Sequence, residues 1–180
     1  MPVFEWRGQQ IEAPSQEAMK KYITKQHLAG IPEDRVSTDE QKQALLERMK
    51  PYIKNIYDVE DAYEIPRHLL KRLLYQESAF LPENISGQNK SSAGAIGIAQ
   101  FMPATAEEVG IDPLVPEQAI EGAGRYLKSL KDQTGDWVSA LAAYNGGPGR
   151  LAEKGLARMP KETRNYVEEI TLDVPLGDTN

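Results

Sequence analysis

The 180-residue chain contains no cysteine. That excludes a disulfide framework, a thiolate nucleophile and cysteine-ligated zinc. It has only two histidines, His27 and His68, about 40 positions apart. A histidine-based metal site is not expected, no cofactor is implied, and nothing around either ring points to a Ser-His-Asp arrangement. No stretch approaches the roughly 18 apolar residues of a membrane helix, so no membrane span is expected, and no internal repeat is present. Positive charge is also short, with 21 Lys and Arg against 27 Asp and Glu for a net charge of −6. A surface of that sign repels polyphosphate, so no nucleic-acid partner is expected. Met1 to Arg7 lack the basic start and apolar run of a secretory signal. The expectation is a protein that works where it is made or leaves by another route.

What is present is a globular composition. Apolar residues make up 40% and charged residues 27%. This suits one ordinary domain, or a core of roughly 120 residues with an extension. Val3 to Ala13 alternates loosely around Arg7-Gly8 and reads as a small hairpin. Ser15 is placed as the N-cap of a helix to about Leu28, stopped by Gly30-Ile31-Pro32. Ser37-Thr38-Asp39-Glu40 has the pattern of a capping box. Leu45, Leu46, Met49, Tyr52, Ile53 and Ile56 follow at helical spacing, and Pro51 should bend or break that helix. Pro66 is placed for the first turn of a further helix, with Ile65, Leu69, Leu70, Leu73 and Leu74 on its buried face.

Residues 78–102 hold too much Gly, Ser, Asn and Pro for long regular structure and read as a loop or short hairpin. Helices are predicted from Pro103 to Val109 with Gly110 after it, and from Pro116 to about Lys131. Asp136 caps a third from Trp137 to Tyr144, ended by Asn145-Gly146-Gly147, and the last runs from Pro160 to Ile170. The tail beyond Pro175 should fray. The fold class is therefore mainly α with at most one small β element. Residues 1–60 read as an N-terminal extension, 61–175 as a compact helical domain and 176–180 as a flexible tail.

One acid stands out. Leu70, Leu73 and Leu74 lie seven, four and three residues before Glu77, which puts its carboxylate on the buried side of a helix. Desolvation there raises its pKa, and a carboxylic acid still protonated near neutral pH serves as a general acid. Taken alone, Glu77 reads first as an exposed residue before a turn, since surface glutamates are common. Three further stretches bear on it. Gly94 to Ala106 pairs two glycines with Gln100 and a helix start, allowing close backbone approach and hydrogen bonds to a polar ligand. Ala142 to Gly147 places Tyr144 and Asn145 at a helix end, and a tyrosine face with its hydroxyl suits sugars. Pro160 to Val167 carries Tyr166. Singly, each reads as a turn, a capped helix or a surface helix.

In this order, Glu77-Ser78, Gly94 to Thr105, Ala143 to Gly146 and Glu162 to Val167 resemble the four motifs of the family 1 soluble lytic transglycosylases. This is the SLT domain, whose fold is similar to goose-type lysozyme, an α+β lysozyme-like class. The resemblance covers about 110 residues, from roughly Ala62 to Ile170.

The resemblance implies cleavage of the β-1,4 bond between N-acetylmuramic acid and N-acetylglucosamine in peptidoglycan glycan strands. The product is a 1,6-anhydromuramoyl end, formed without water. It implies Glu77 as the single catalytic acid and then base, an exception to the two-carboxylate rule. Of the other acids near the motifs, Glu83, Glu107, Glu108, Asp112, Glu121 and Glu162, none has the apolar setting of Glu77. Glu162 matches a motif position but reads as a helix-start charge.

By the same resemblance Gln100 and Met102 line the glycan groove, and Tyr144, Asn145 and Tyr166 stand at the site. The family serine is ambiguous. Counting from Glu77 gives Ser86, and counting back from Gly94 gives Ser91. Gly87-Gln88-Asn89-Lys90 reads as a small insertion between them, and Ser86 is the favoured assignment. A hydrolysing muramidase on the same fold is the alternative enzyme. A module that holds cell wall without cutting it is the non-catalytic alternative. A wall-cleaving enzyme without a signal fits carriage in a phage particle, with virion or secretion-apparatus proteins as partners.

Overall fold

A computed structural model of the chain describes residues 1–29, 31, 35–172 and 174–176. Among these, two strands and ten α-helices are present. Strands β1 (Val3–Trp6) and β2 (Gln9–Glu12) pair antiparallel, with Val3 opposite Glu12 and Trp6 opposite Gln9. Arg7 and Gly8 form the turn at φ 53° and 72°, the positive pair that a two-residue hairpin loop needs. The expected hairpin is therefore present. Helix α1 (Gln16–Leu28) starts where predicted, with Ser15 Oγ accepting from Ala18 N. Gly30 and Pro32, the predicted stop signal, lie outside the described residues.

Helices α2 (Asp39–Met49) and α3 (Ile53–Ala62) are separate, so Pro51 breaks the apolar stripe. The capping box is displaced by one residue from its predicted position. Thr38 Oγ1 accepts from Gln41 N, while Gln41 Oε1 takes the amides of both Thr38 and Ser37. A single glutamine side chain thus serves two orphan donors, which fixes the register at Thr38 and Gln41. Pro66 also differs from expectation. It lies in a turn whose carbonyl accepts from Leu69 N, and His68 at φ 73° prevents the helix from reaching back to it. Helix α4 accordingly runs Leu69–Ser78.

The Gly- and Ser-rich stretch contains the short helix α5 (Pro82–Ile85) and a tight turn closed by paired Ile96 and Phe101. Helix α6 (Pro103–Val109) ends at Gly110 as expected. Helix α7 (Pro116–Thr134) runs three residues past its predicted end and stops at Gly135, φ 94°. Asp136 caps α8 (Trp137–Gly146), which continues two residues past Tyr144. Helix α9 (Pro148–Lys154) and a 3₁₀ turn (Leu156–Arg158), neither of them predicted, lead to α10 (Lys161–Thr171). Residues 177–180 of the predicted frayed tail lie outside the described residues. No described helix is long and apolar enough to cross a membrane.

Packing explains the order. Helix α7 buries Ala119, Ile120, Ala123, Leu127 and Leu130 against α8, whose Ala140 to Ala143 are fully enclosed. Gly124 lets α3 approach α7, since a Cβ there would fall 2.2 Å from Val59 Cγ1. Leu69, Leu70, Leu73 and Leu74 of α4 are wholly buried, each stabilising the fold by roughly 2 kcal/mol. Leu45, Met49 and Ile56 join the same cluster, so side chains from both sides of residue 60 share one core.

Helix α4 also anchors α1. Lys71, fully buried, donates through Nζ to Gln26 O at 2.9 Å and His27 O at 2.8 Å, satisfying the last carbonyls of α1. Its third neighbour is His68 Nδ1 at 3.2 Å. Burial, then the nearby cations, pushes His68 down to about 3 and His27 down to about 4. Both rings are neutral near pH 7, which suits His68 Nδ1 as an acceptor.

Candidate active site

The site forms where the C-terminal turn of α4 meets the 94–105 turn, the end of α8 and the first turns of α10. A cleft of about 670 Å³ runs between them. Its lining includes Glu77, Ser91, Gln100, Met102, Tyr144 and Asn145. A second recess of about 340 Å³ on the α10 side shares Glu77, Asn145 and Glu162 and adds Tyr166. The chain thus brings together six of the seven residues singled out from sequence.

Glu77 is half-buried at the boundary of the two cavities. Leu73 and Leu74, four and three residues earlier, are wholly buried beneath it, the arrangement the spacing predicts. Burial pushes the Glu77 carboxyl up to about 7, against the opposing effect of its hydrogen bond from Tyr166. That bond is 2.6 Å long, Tyr166 Oη donating to Glu77 Oε1. A hydroxyl donated to the ionised form favours it, so the two effects oppose and burial wins. Tyr166 and Tyr144 are themselves held well above the usual phenol range, by burial first and the Glu77 charge next. Both remain protonated donors.

The tight turn positions the cleft's other wall. Ile96 and Phe101 exchange both backbone hydrogen bonds at 3.1 Å, and Gln100 N donates to Gly97 O. Gly97 sits at φ 82°, and a Cβ there would meet Pro113 O at 1.9 Å. Only glycine fits this close approach. Gln100, at φ 48°, donates through Nε2 to Gly97 O at 2.9 Å, which leaves its Oε1 available to the cleft. Tyr144 Oη donates to Ala99 O at 3.1 Å, tying α8 to the same turn. Met102 is 41% exposed, an uncommon exposure for a large apolar side chain, and it lines the cleft. Asn145 is exposed and lines both cavities. Gly146 lets α8 close on α10, since a Cβ there would fall 3.1 Å from Thr163 Oγ1 of that helix and 2.3 Å from Met159 Cε just ahead of it.

Ser86 is the exception. It follows α5, exposed, with its hydroxyl donating to Glu83 O, and it lines neither cavity. Ser91 lines the main cleft, and its Oγ accepts from Ala95 N at 2.9 Å. Residues 87–90 carry the chain from α5 to the turn, so Ser91, three before Gly94, stands at the cleft and Ser86 does not.

Sequence reasoning also missed Tyr126 and Arg150. Tyr126 reaches the cleft from α7, with ring centroids 5.6 Å from Tyr144 and 6.3 Å from Phe101. Its position three residues after Ala123, on the apolar side of α7, was the available signal. Arg150 belongs to α9, whose Gly-Pro-Gly surroundings hid the helix. Glu162 lines both cavities and makes no ion pair among the described residues. No group of three or more His, Asp or Glu among the described residues is placed to hold a metal.

The profile of the transglycosylase SLT domain family matches residues 54–167. The chain is 34% identical over 151 residues to the peptidoglycan transglycosylase gp16 of Escherichia phage T7, covering 70% of this chain and 11% of that protein. It is 31% identical to membrane-bound lytic murein transglycosylase F 2 of Alkalilimnicola ehrlichii, covering 73% and 31%, and 30% identical to the transglycosylase of Enterobacteria phage PRD1, covering 63% and 39%. The chain thus spans well under half the length of these curated relatives. Among solved structures, the 70 kDa soluble lytic transglycosylase of Escherichia coli superposes with a TM-score of 0.56 at 26% identity, covering 86% of this chain and 28% of that one. An inactive mutant of lytic transglycosylase Slt from Pseudomonas aeruginosa superposes with a TM-score of 0.53 at 27% identity, covering 65% and 22%. With the four motifs gathered around one cleft and the family profile spanning most of the chain, this protein belongs to the SLT transglycosylase family.

Proposed function

We infer that this chain is a peptidoglycan lytic transglycosylase. It cleaves the β-1,4 bond between N-acetylmuramic acid and N-acetylglucosamine and leaves a 1,6-anhydromuramoyl end. The observation that carries the reading is Glu77, a carboxyl pushed up to about 7 at the edge of an open cleft, with a tyrosine hydroxyl on one oxygen. Near neutral pH a large share of it is protonated, as a general acid requires.

The steps follow from that group. Glu77 donates its proton to the glycosidic oxygen as the bond to the muramoyl C1 breaks. The leaving sugar departs as an alcohol, and C1 gains oxocarbenium character. The carboxylate then takes the proton of the muramoyl C6 hydroxyl while O6 bonds to C1. One proton leaves Glu77 and one returns, so no water is consumed. The Tyr166 hydroxyl stabilises the carboxylate between those two events. With Oε1 taken by Tyr166, Oε2 is the oxygen that carries the proton. Gln100, Met102, Tyr144 and Asn145 line the cleft as sugar-binding groups, and Ser91 replaces Ser86 in that set.

Residues 61–175 carry this chemistry in our reading, and residues 1–60 form an extension packed against them. Two phage proteins among the relatives favour a phage-borne enzyme acting on the bacterial wall. Its detection in purified particles tests that assignment, and consistent absence counts against it. The test of the enzymatic reading is clearing of purified sacculi. Glu77→Gln should abolish clearing while preserving the fold, and equal clearing by variant and parent would sink the assignment.

A further inference from the structure

The sequence offers no role for residues 1–60, and the family match begins at residue 54. One residue of that stretch nonetheless bridges the two helices that carry Glu77 and Tyr166. Arg35 stands just ahead of α2. Its Nη1 donates to Gln76 Oε1 at 2.9 Å, and its Nη2 donates to Glu169 Oε2 at 2.7 Å. Gln76 precedes Glu77 in the last turn of α4. Glu169 lies three residues beyond Tyr166 on α10, and so on the same side of that helix. Gln76 and Glu169 line the smaller recess together with Glu77 and Tyr166.

The seam between α4 and α10 therefore carries successive ties. Tyr166 to Glu77 lies at the cleft, the Arg35 fork lies behind it, and Arg72 to Ile170 O at 3.1 Å lies farther along α4. A guanidinium is planar and presents two parallel donors at fixed separation, which a lysine ammonium does not. The fork joins the same two helices that carry the phenol and the carboxylate.

We propose that Arg35 is a positioning residue for the acid, clamping α4 to α10 so that the Tyr166 hydroxyl stays on Glu77. The inference rests on the reading of Glu77 as the general acid. Arg35 and Glu169 side chains are 40% and 36% exposed, a setting in which an ion pair contributes little to folding. Its effect should therefore appear in catalysis rather than in thermal stability. The extension would then tune the active site from outside the family's own core.

The test uses the full chain with Arg35→Ala, Arg35→Lys, Glu169→Ala, Glu169→Gln, the Arg35→Ala/Glu169→Ala pair and Glu77→Gln. Each is assayed on soluble, uncrosslinked glycan strands across about pH 5 to 9, with circular dichroism to verify the fold. Arg35→Ala should lower kcat roughly 3- to 5-fold while KM changes by less than about twofold. The alkaline limb of its pH profile should move upward, because the ionised carboxylate loses its phenol donor. Arg35→Lys keeps the charge without the fork and should share most of the loss. The double variant should be no worse than either single one. Glu169→Gln keeps an acceptor oxygen and should retain more activity than Glu169→Ala, which holds the test open if Arg35→Ala fails to fold. A wild-type kcat and pH limb in Arg35→Ala, or full activity in Arg35→Lys, overturns the proposal. Loss in Glu77→Gln with no effect at Arg35 overturns this inference alone. An active Glu77→Gln overturns the reading beneath it as well.

Discussion

Tyr166 and Glu77 are 89 residues apart in the chain, yet the phenol hydroxyl donates to Glu77 Oε1 at 2.6 Å. The bond acts against the burial that pushes the carboxyl up to about 7. Its geometry depends on α4 and α10 lying side by side, and on Gly146 allowing α8 to close over Thr163 and Met159. The protonation state of the acid therefore depends on helix packing as well as on the leucines of its own helix.

Removing the phenol donor should separate those two effects. In Tyr166→Phe the ionised carboxylate loses a favourable partner and burial remains, so the Glu77 pKa rises further. The alkaline limb of kcat/KM should move to higher pH, and kcat should fall because the carboxylate formed in the first step is less stabilised. A pH–rate profile on soluble glycan strands checks this. A limb that moves to lower pH would refute the assignment of Tyr166 as the donor to the ionised form.

The raised pKa has a stability counterpart. Folded, Glu77 titrates at about 7; unfolded, it reverts to about 4.5. Between those values the folded chain holds a proton that the unfolded chain has released. Stability present below about pH 4.5 is thus lost as pH rises towards 7, and the loss is flat above. Glutamine does not titrate. The advantage of Glu77→Gln over the parent should grow across that window to about 1–3 kcal/mol at pH 8. Urea denaturation of both proteins at pH 5 and pH 8 measures it, with Glu60, which burial also pushes up to about 7, common to both.

The 94–101 turn provides a matched pair of glycines. Gly97 and Gly94 both have positive φ, at 82° and 91°. A Cβ at Gly97 would meet Pro113 O at 1.9 Å, whereas at Gly94 nothing lies within 4 Å. Gly94→Ala should cost about 1 kcal/mol for backbone strain alone. Gly97→Ala must also push Pro113 away and should cost about 3 kcal/mol or more, with loss of activity. Denaturant unfolding of the two variants gives the comparison, and equal costs would contradict the steric account.

The two serines give a further contrast. Ser91→Ala removes the hydroxyl that accepts from Ala95 N at the cleft wall and should lower activity several-fold. Ser86→Ala removes only an exposed bond to Glu83 O and should leave both activity and stability within error. Turnover of soluble strands by both variants decides between them, and the reverse ranking would return the role to Ser86.

These particulars show what the sequence discloses and what it hides. Helix ends marked by strong local chemistry were legible: Ser15 and Asp136 as caps, Pro103 at a helix start, Gly110 at a helix end. Glu77 was legible because the leucines that desolvate it precede it on its own helix. Elements fixed by reach rather than by local preference were not. Gln41 draws the capping box one residue along by taking two amides, and His68 at positive φ keeps Pro66 out of α4. The helices α5 and α9 are short and flanked by Gly and Pro, so their composition imitates a loop. Tyr126 was marked only by its place on the apolar side of α7, while Arg150 at the cleft and Arg35 behind it are placed by packing between distant elements, of which spacing along one chain carries no trace.

The central claim is an intramolecular transfer to O6 driven by one carboxyl. Mass spectrometry of muropeptides released from purified sacculi tests it most directly. The account predicts 1,6-anhydromuramoyl ends, lighter than reducing ends by one water, from the wild-type protein and none from Glu77→Gln. Release of hydrated reducing ends by the wild-type protein, or of the same anhydro products by Glu77→Gln, would contradict it.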